Sequence, residues 1–298
     1  MDILHITGLQ KRFGDKAVRK GLELQVPQNS IFGFIGKNGS GKTTTMKTIL
    51  GLLQADAGEI FVDGQKVVYG QTPTNRHIGY LPDVPEFYSF RTAAEYLRFC
   101  GQITGMENAQ IESRSRELLE LVGLNNETHR IKGFSRGMKQ RLGIAQALLN
   151  RPKLLICDEP TSALDPVGRK EILDLLLAAR EQTTVLFSTH ILSDVERICT
   201  DVAFLHDGKA AIQGKLADIK STYRSKEYLI ETENDAAAAA LRRAFPHMVS
   251  NGQQLFFSEN PHTAHEVLTF VAQQHIPMVK FERMEPTLES LFMEVVEK

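Results

Sequence analysis

Short apolar runs alternate with stretches of helical periodicity along the first 214 residues of the chain. Between residues 3 and 35 the apolar runs are separated by turn signals, which predicts a β-rich beginning. Residues 90–123 repeat apolar positions at the spacing of a helix. Further strands are predicted at 58–64, 153–157 and 183–187, and further helices at 44–50, 170–180 and 191–199. This alternation predicts a parallel α/β core.

The pattern changes after Gly214. Strands at 228–233, 255–257 and 278–282 and helices at 235–245, 262–274 and 287–296 are predicted there. The alanine-rich segment 235–245 could instead be a flexible linker, but Leu241 and Phe245 at i, i+4 favour a helix. The sequence therefore predicts a domain at 1–214 and a small α/β appendage at 215–298.

Composition and charge exclude several classes of protein. The chain has 298 residues, 42% hydrophobic and 24% charged, with a net charge of −1, which argues against non-specific nucleic-acid binding. Its 3 cysteines show no C-x-x-C spacing, so a reducing cytosol is a simpler inference than a disulfide framework or a zinc site. No signal peptide and no apolar run of about 20 residues is evident, so we expect any membrane role to come through a partner.

The segment Gly36-Lys37-Asn38-Gly39-Ser40-Gly41-Lys42-Thr43 fits the phosphate-binding pattern G-x-x-x-x-G-K-[ST]. Its glycines let backbone N–H groups cradle phosphate oxygens, while Lys42 reaches the β- and γ-phosphates and the Thr43 hydroxyl binds Mg²⁺. An apolar strand at 31–35 precedes it, and a helix from Thr44 follows with its N-terminus toward the anion. An accidental glycine-rich turn would not need this context. The segment from Gly36 to Thr44 therefore predicts a site for a nucleotide.

Further motifs follow in a fixed order. An apolar helix is predicted to begin with the segment Phe134-Ser135-Arg136-Gly137-Met138-Lys139-Gln140-Arg141. The apolar run at 154–157 leads into the segment Asp158-Glu159-Pro160-Thr161-Ser162-Ala163-Leu164-Asp165. His190 follows a further strand. In this order the chain resembles the ATP-binding subunits of ABC transporters over residues 1 to about 214. The resemblance implies a P-loop NTPase core with an antiparallel β subdomain and a helical subdomain, binding ATP and Mg²⁺.

The resemblance also implies roles for individual residues. Asp158 would help to hold Mg²⁺ beside Thr43, Glu159 would polarise the attacking water, and His190 would contact the γ-phosphate. Taken alone, Glu159 could be a surface carboxylate, as most Glu residues are. Phe13 stands where the family stacks an aromatic ring on adenine, although a buried core Phe is the alternative.

The signature segment departs from the family's LSGGQ-type pattern but keeps Ser135 and Gly137, which would bind the γ-phosphate of ATP held by the opposite subunit. Arg136 replaces a glycine there and would either add positive charge near phosphate or lie on the surface. Asp165 would be the carboxylate of the D-loop, and an N-cap of the helix that starts at Pro166 fits equally well.

Asp83 occupies the Q-loop position, where the family usually has glutamine. A carboxylate only accepts hydrogen bonds, yet it can bind Mg²⁺ directly or through water. The alternative is a turn aspartate between Pro82 and Pro85. Export-type relatives often carry an acidic residue here.

The Q-loop, the C-terminal appendage and the segment from Glu285 to Phe292 resemble those of ABC-2 export subunits. The resemblance implies two ATP-binding subunits, identical or different, that close around ATP and power a separate membrane permease from the cytoplasmic face of the membrane. Aromatic residues in the loop 86–90 are predicted to contact that permease, unless they pack within the helical subdomain.

Three other classes of ATP-binding protein fit this sequence poorly. DNA-repair ATPases insert a long coiled coil between the segments that correspond to Lys42 and Asp158, and translation factors carry two cassettes in one chain. Kinases share the phosphate loop but have no use for the segment from Ser135 to Gly137.

Overall fold

The computed structural model describes residues 2–71, 73–222, 227–258, 263–284 and 287–291. These residues divide into two compact units, one up to Ala217 and the other from Asp218 to Leu291. Within the described ranges no helix is long and apolar enough to cross a membrane.

In chain order, the strands described in the first unit are β1 (Asp2–Phe13), β2 (Lys16–Pro27), β3 (Ile31–Ile35), β4 (Ala57–Val62), β5 (Gln65–Lys66), β6 (Ile78–Leu81), β7 (Leu154–Asp158), β8 (Thr184–Thr189), β9 (Asp201–His206) and β10 (Lys209–Lys215). The helices are α1 (Lys42–Ile49), α2 (Ala93–Ile103), α3 (Asn108–Leu121), α4 (Arg136–Leu148), α5 (Pro166–Ala179) and α6 (Leu192–Ile198), followed by α7 (Leu216–Thr222) across the boundary between the units. Short 3₁₀ turns lie at Pro73–His77 and Ile131–Gly133.

The β-rich beginning of the chain forms an antiparallel sheet in the order β2-β1-β4-β5. Along β2 the apolar residues Leu22, Leu24 and Val26 are buried while the residues between them are exposed, which is the alternation of a sheet with one face on the core. This sheet is the predicted antiparallel subdomain.

The main sheet has the order β10-β9-β3-β8-β7-β6, and every pair from β9 to β6 is parallel. Strands β3, β7 and β8 are buried at every residue, as expected for a parallel sheet covered on both faces. Parallel strands end at the same edge, so the segments that follow β3, β8, β7 and β6 meet there. This edge carries the predicted site.

Helices α2, α3 and α4 form the helical subdomain. The periodic segment predicted at 90–123 is two helices, because the chain turns at Gly105, whose φ of +76° is a left-handed conformation that glycine adopts without strain. Thr92 begins α2 with a capping box in which its hydroxyl and the Glu95 carboxylate each accept a backbone N–H.

The second unit contains β11 (Glu227–Thr232), α8 (Asp235–Ala244), β12 (Val249–Asn251), β13 (Gln254–Ser258), α9 (Ala264–Gln273) and β14 (Met278–Arg283). Its strands form an antiparallel sheet in the order β12-β13-β11-β14. The alanine-rich segment is helix α8 and buries Leu241, so the linker alternative is wrong. The short strand β12 was not predicted, because its three residues contain only one apolar side chain. Residues 288–291 are helical, and the remainder of the helix predicted at 287–296 lies outside the described residues.

Candidate nucleotide-binding site

The predicted phosphate loop joins β3 to α1 at the carboxyl edge of the main sheet. Gly39 and Gly41 have φ of +79° and +89°, which side chains rarely allow. A Cβ on Gly36 would lie 2.5 Å from the Ser40 hydroxyl oxygen, and one on Gly41 would lie 2.5 Å from a methyl of Val18. Both the conformation and the space therefore require glycine in this loop.

Lys42 begins α1 and extends back over the loop. Its Nζ donates to the Gly36 carbonyl at 2.7 Å and lies 3.1 Å from a carboxylate oxygen of Glu159. The side chain is buried, so its charge acts in surroundings where water screens it little.

Asp158 ends β7 and is 3% exposed. One carboxylate oxygen accepts the Thr43 hydroxyl at 2.6 Å, and the other accepts the Ser188 hydroxyl at 2.6 Å. Thr43 and Asp158, which are 115 residues apart, thus bring a hydroxyl and a carboxylate oxygen together at the sheet edge. Ser188 holds Asp158 in place and was not predicted, because no local pattern distinguishes it from other strand serines.

Glu159 follows in a strained conformation. Its φ of +48° lies in the left-handed region, at a cost of about 1 kcal/mol or more for a residue with a side chain. Its N–H lies 3.1 Å from the Ser188 hydroxyl oxygen, and a carboxylate oxygen lies 2.8 Å from Nδ1 of His190. With its side chain 14% exposed, Glu159 is not a surface carboxylate, so that alternative is wrong.

A cavity of about 520 Å³ opens above these residues. Phe13 lines it and is 50% exposed, so the alternative of a core Phe is wrong. The other predicted residues on its wall are Asn38, Gly39, Gly41, Lys42, Thr43, Thr44, Asp83, Glu159 and His190. Lys16, Val18 and Ser162 also line the cavity and were not predicted. Lys16 and Val18 belong to no motif, and Ser162 lies within the segment 158–165 but was given no role there.

Relatives of known family match this chain in sequence and in structure. Residues 19–162 match the ABC transporter family, and residues 214–296 match the family described as ATP-binding protein DrrA1-3-like, C-terminal domain. The ABC transporter ATP-binding protein YxlF of Bacillus subtilis (strain 168) is 35% identical over 298 residues, covering 99% of each chain. The bacitracin transport ATP-binding protein BcrA of Bacillus licheniformis is 40% identical over 76% of this chain and 74% of BcrA. A solved ATP-binding subunit of an ABC transporter, 32% identical, has a TM-score of 0.66 and covers 74% of this chain and 93% of that one.

The chain belongs to the ABC transporter ATP-binding proteins. The predicted family and its export type, the P-loop NTPase fold and the binding of ATP are thereby confirmed. An ATP-binding cassette of this kind hydrolyses ATP to power transport.

Asp83 connects the cavity of this ABC subunit to the signature segment. Its side chain is half-exposed on the cavity wall, and an Nη of Arg136 lies 3.4 Å from its carboxylate. Burial raises the pKa of Asp83, and the nearby Asp158 and Glu159 raise it further while Arg136 opposes them. The carbonyl of Asp83 also accepts from the Gln140 amide at 2.8 Å, so two contacts join the Q-loop to α4.

Ser135, Gly137 and Asp165 are not on the cavity wall of this ABC subunit; they lie at the beginnings of helices. The Ser135 hydroxyl accepts the Met138 N–H at 3.2 Å and caps α4. The Asp165 carboxylate accepts the Gly168 N–H at 3.2 Å and caps α5, which confirms the N-cap interpretation.

A buried carboxylate joins three segments of the cassette that are distant in sequence. Asp194, on α6 just after His190, accepts the Thr161 hydroxyl at 2.7 Å and Nε of Arg169 at 2.6 Å. Thr161 lies in the segment that follows Glu159, and Arg169 lies on α5, the helix that Asp165 caps. Asp194 therefore ties the segments that carry Glu159, His190 and the D-loop, a link that sequence separation hides.

Proposed function

We propose that residues 1–214 form the ATP-binding domain and that ATP occupies the cavity above the phosphate loop. The Phe13 ring offers a half-exposed face for adenine, and the phosphates lie over residues 36–44 near the Lys42 ammonium. The observation that carries this proposal is the convergence of Lys42, Asp158, Glu159 and His190, from separate segments, on one cavity wall and the layer beneath it.

The residues present fit Mg²⁺. Thr43 and Asp158 supply a hydroxyl and a carboxylate oxygen 2.6 Å apart, and Mg²⁺ prefers such hard oxygen ligands. Asp83 offers a further carboxylate on the wall. A Mg²⁺ held by Thr43, Asp158 and Asp83 would neutralise phosphate charge during phosphoryl transfer.

We propose that Glu159 acts on the attacking water. Its carboxylate is fixed by the strained backbone, by Lys42 and by His190, which holds a proton acceptor beside the phosphate loop. His190 is half-exposed on the same wall and is placed to position both water and γ-phosphate.

We further propose that two ATP-binding subunits, of this chain or of this chain and a related one, close head to tail around ATP. Ser135 and Arg136 are exposed at the start of α4, and the N-terminus of α4 favours an anion. Around Gly137 there is open space, since an added Cβ would meet only the Ser135 hydroxyl at 4.0 Å. This surface is suited to the phosphate of ATP held by a partner subunit, as the Asp165 segment is to the partner's loop.

Mixing two inactive variants tests the head-to-tail arrangement. Gly137→Glu places a negative charge where partner phosphate would lie, and the open space predicts that it folds normally. Lys42→Met removes the ammonium of the phosphate loop. We expect each purified variant to lose ATP hydrolysis and a mixture of the two to regain part of it, because mixed dimers contain one intact loop facing one intact signature. Full activity of Gly137→Glu alone, or a mixture as inactive as its components, would contradict the proposed dimer.

We propose that the complex exports its substrate through a separate permease and that this subunit lies at the cytoplasmic face of the membrane. The related BcrA is a bacitracin transport ATP-binding protein, which supports a transport role for this chain. The loop after Asp83 is the proposed contact with the permease. Phe87 packs edge-on against Tyr96 at 5.1 Å, and Tyr88 packs edge-on against Phe99 at 5.3 Å. Tyr88 and Phe90 are nevertheless 52% and 61% exposed. The loop thus combines internal packing with an exposed aromatic pair.

Removing the exposed pair is expected to uncouple the permease. In Tyr88→Ala/Phe90→Ala we expect basal ATP hydrolysis of the isolated subunit to persist, while its stimulation by the reconstituted permease falls several-fold through loss of aromatic contact area. Ile103→Ala, at an equally exposed apolar residue of the same subdomain, is the matched control. Wild-type stimulation of the double variant would remove this loop from the interface.

We propose that residues 215–298 form an accessory α/β domain, most of which is the second unit. Each residue with a proposed role at phosphate, water or metal lies in the first unit.

A further inference from the structure

Arg19 on β2 is the largest fully buried side chain among the residues that the structure describes, with 1% of its surface exposed. It belongs to no motif, and neither nucleotide binding nor hydrolysis as described above uses it. A buried guanidinium is costly unless its charge and its five N–H donors find partners. Its surroundings therefore indicate what it does.

The guanidinium lies directly beneath the phosphate loop. Its Nη1 donates to the Ser40 carbonyl at 2.7 Å, and its Nε donates to the Thr45 hydroxyl at 2.6 Å. A Cβ added to Gly41 would lie 3.0 Å from its Nη2. The glycine at 41 thus makes room for Arg19 as well as for the left-handed turn.

These two contacts fix the direction in which the loop's N–H groups point. In a trans peptide the carbonyl and the following N–H point in opposite directions. Because the Ser40 carbonyl is turned inward to Arg19, the N–H of Gly41 is turned outward, on the side of the cavity. Thr45 acts similarly, since its hydroxyl oxygen also lies 3.1 Å from the Gly41 carbonyl.

No carboxylate in the described part of the chain forms an ion pair with Arg19. Its hydrogen bonds go to neutral oxygens of Val18, Ser40 and Thr45, and within the described residues its buried Nη2 has no hydrogen-bond partner. Desolvation by burial lowers the pKa of Arg19 to about 10, which still leaves it charged at neutral pH. A positive charge is thus held in a poorly screened position immediately behind the loop.

We propose that Arg19 is a positioning residue of the nucleotide site and a second cation for the phosphates, acting through the loop while Lys42 acts from above it. The proposal rests on ATP occupying the phosphate loop as described above. The guanidinium keeps the N–H groups turned toward the anion, and its charge stabilises the phosphates across a single layer of backbone. Lysine cannot replace it fully, because one ammonium cannot reach both the Ser40 carbonyl and the Thr45 hydroxyl in this fork geometry.

The test is the affinity for ATP and ADP, measured by titration calorimetry on the purified full chain. In Arg19→Met we expect the Kd of both nucleotides to rise about ten-fold, the loss of one interaction with a charged group. The KM of ATP hydrolysis should rise with it while kcat changes less. Arg19→Lys should recover part of the affinity, and Lys20→Met, at the adjacent exposed residue, should leave it unchanged.

Two further variants keep a purely structural role distinguishable. Thr45→Val has nearly the same shape and keeps the charge of Arg19, so it should fold and raise the Kd by a smaller factor even if Arg19→Met does not fold. A lowered melting temperature with wild-type Kd in Arg19→Met, or an unchanged Kd in Thr45→Val, would overturn the proposal. Lys42→Met separates this from the site itself: if that variant also binds ATP normally, the phosphate loop is not the nucleotide site.

Discussion

Replacing Glu159 by Gln is expected to lower kcat of ATP hydrolysis by about a hundred-fold or more, the usual contribution of a general base. The amide has nearly the same shape as the carboxylate, so the left-handed backbone and the cavity wall should persist. It cannot take a proton from water, and no other carboxylate is held so close to both Lys42 and His190 among the described residues. The removed charge also no longer opposes the phosphates, so ATP should bind at least as tightly as in the wild type.

The measurement is steady-state ATP hydrolysis with Mg²⁺, together with light scattering to follow dimerisation in ATP. Glu159→Gln should form a more persistent dimer with ATP, because hydrolysis no longer releases it. Glu171→Gln, at an exposed carboxylate paired with Arg141 at 3.8 Å, is the matched control and should keep wild-type rates. Hydrolysis by Glu159→Gln within a few-fold of the wild-type rate would assign the general base to another group.

The parts of the site that the sequence indicates most directly are those whose residues are adjacent in the chain. The phosphate loop is one turn between a strand and a helix, so its glycines, Lys42 and Thr43 appear together in the sequence. Asp158 similarly ends a buried strand, and Glu159 follows it directly. Over such short stretches the backbone itself places the chemical groups together, so a local sequence motif is enough to predict them.

The contacts that hold the site together come from distant segments and leave no such pattern. Ser188 binds Asp158 from the neighbouring strand, where any small polar residue would look the same in sequence. Arg19 is read as an ordinary charged residue of an alternating strand, and only the fold shows that it lies under the loop. The exposure of Phe13 likewise depends on the turn between β1 and β2, which its motif position does not specify. The short strand β12 was missed for a related reason, since its pairing partner defines it more than its own residues do.

Replacing Lys42 by Met is expected to have two separable effects, one on the affinity for ATP and one on the free energy of unfolding. ATP affinity should fall about a hundred-fold, because the direct cation for the β- and γ-phosphates is lost. The free energy of unfolding should also fall by up to about 3 kcal/mol, because the mostly buried Glu159 carboxylate loses its cation. Calorimetric titration with ATP measures the first effect, and denaturant unfolding without nucleotide measures the second.

Adding Glu159→Gln to Lys42→Met tells the two effects apart. If the loss of stability comes from an unpaired carboxylate, the double variant should regain much of it, since removing both partners of a buried pair is close to neutral. The part not regained belongs to the Gly36 carbonyl, which accepts from Lys42 at 2.7 Å and loses its donor in both variants. ATP affinity should stay low, because nothing restores a cation above the phosphates. A double variant as unstable as Lys42→Met would show that the 3.1 Å contact with Glu159 contributes nothing, and that Lys42 stabilises the loop through its backbone contacts instead.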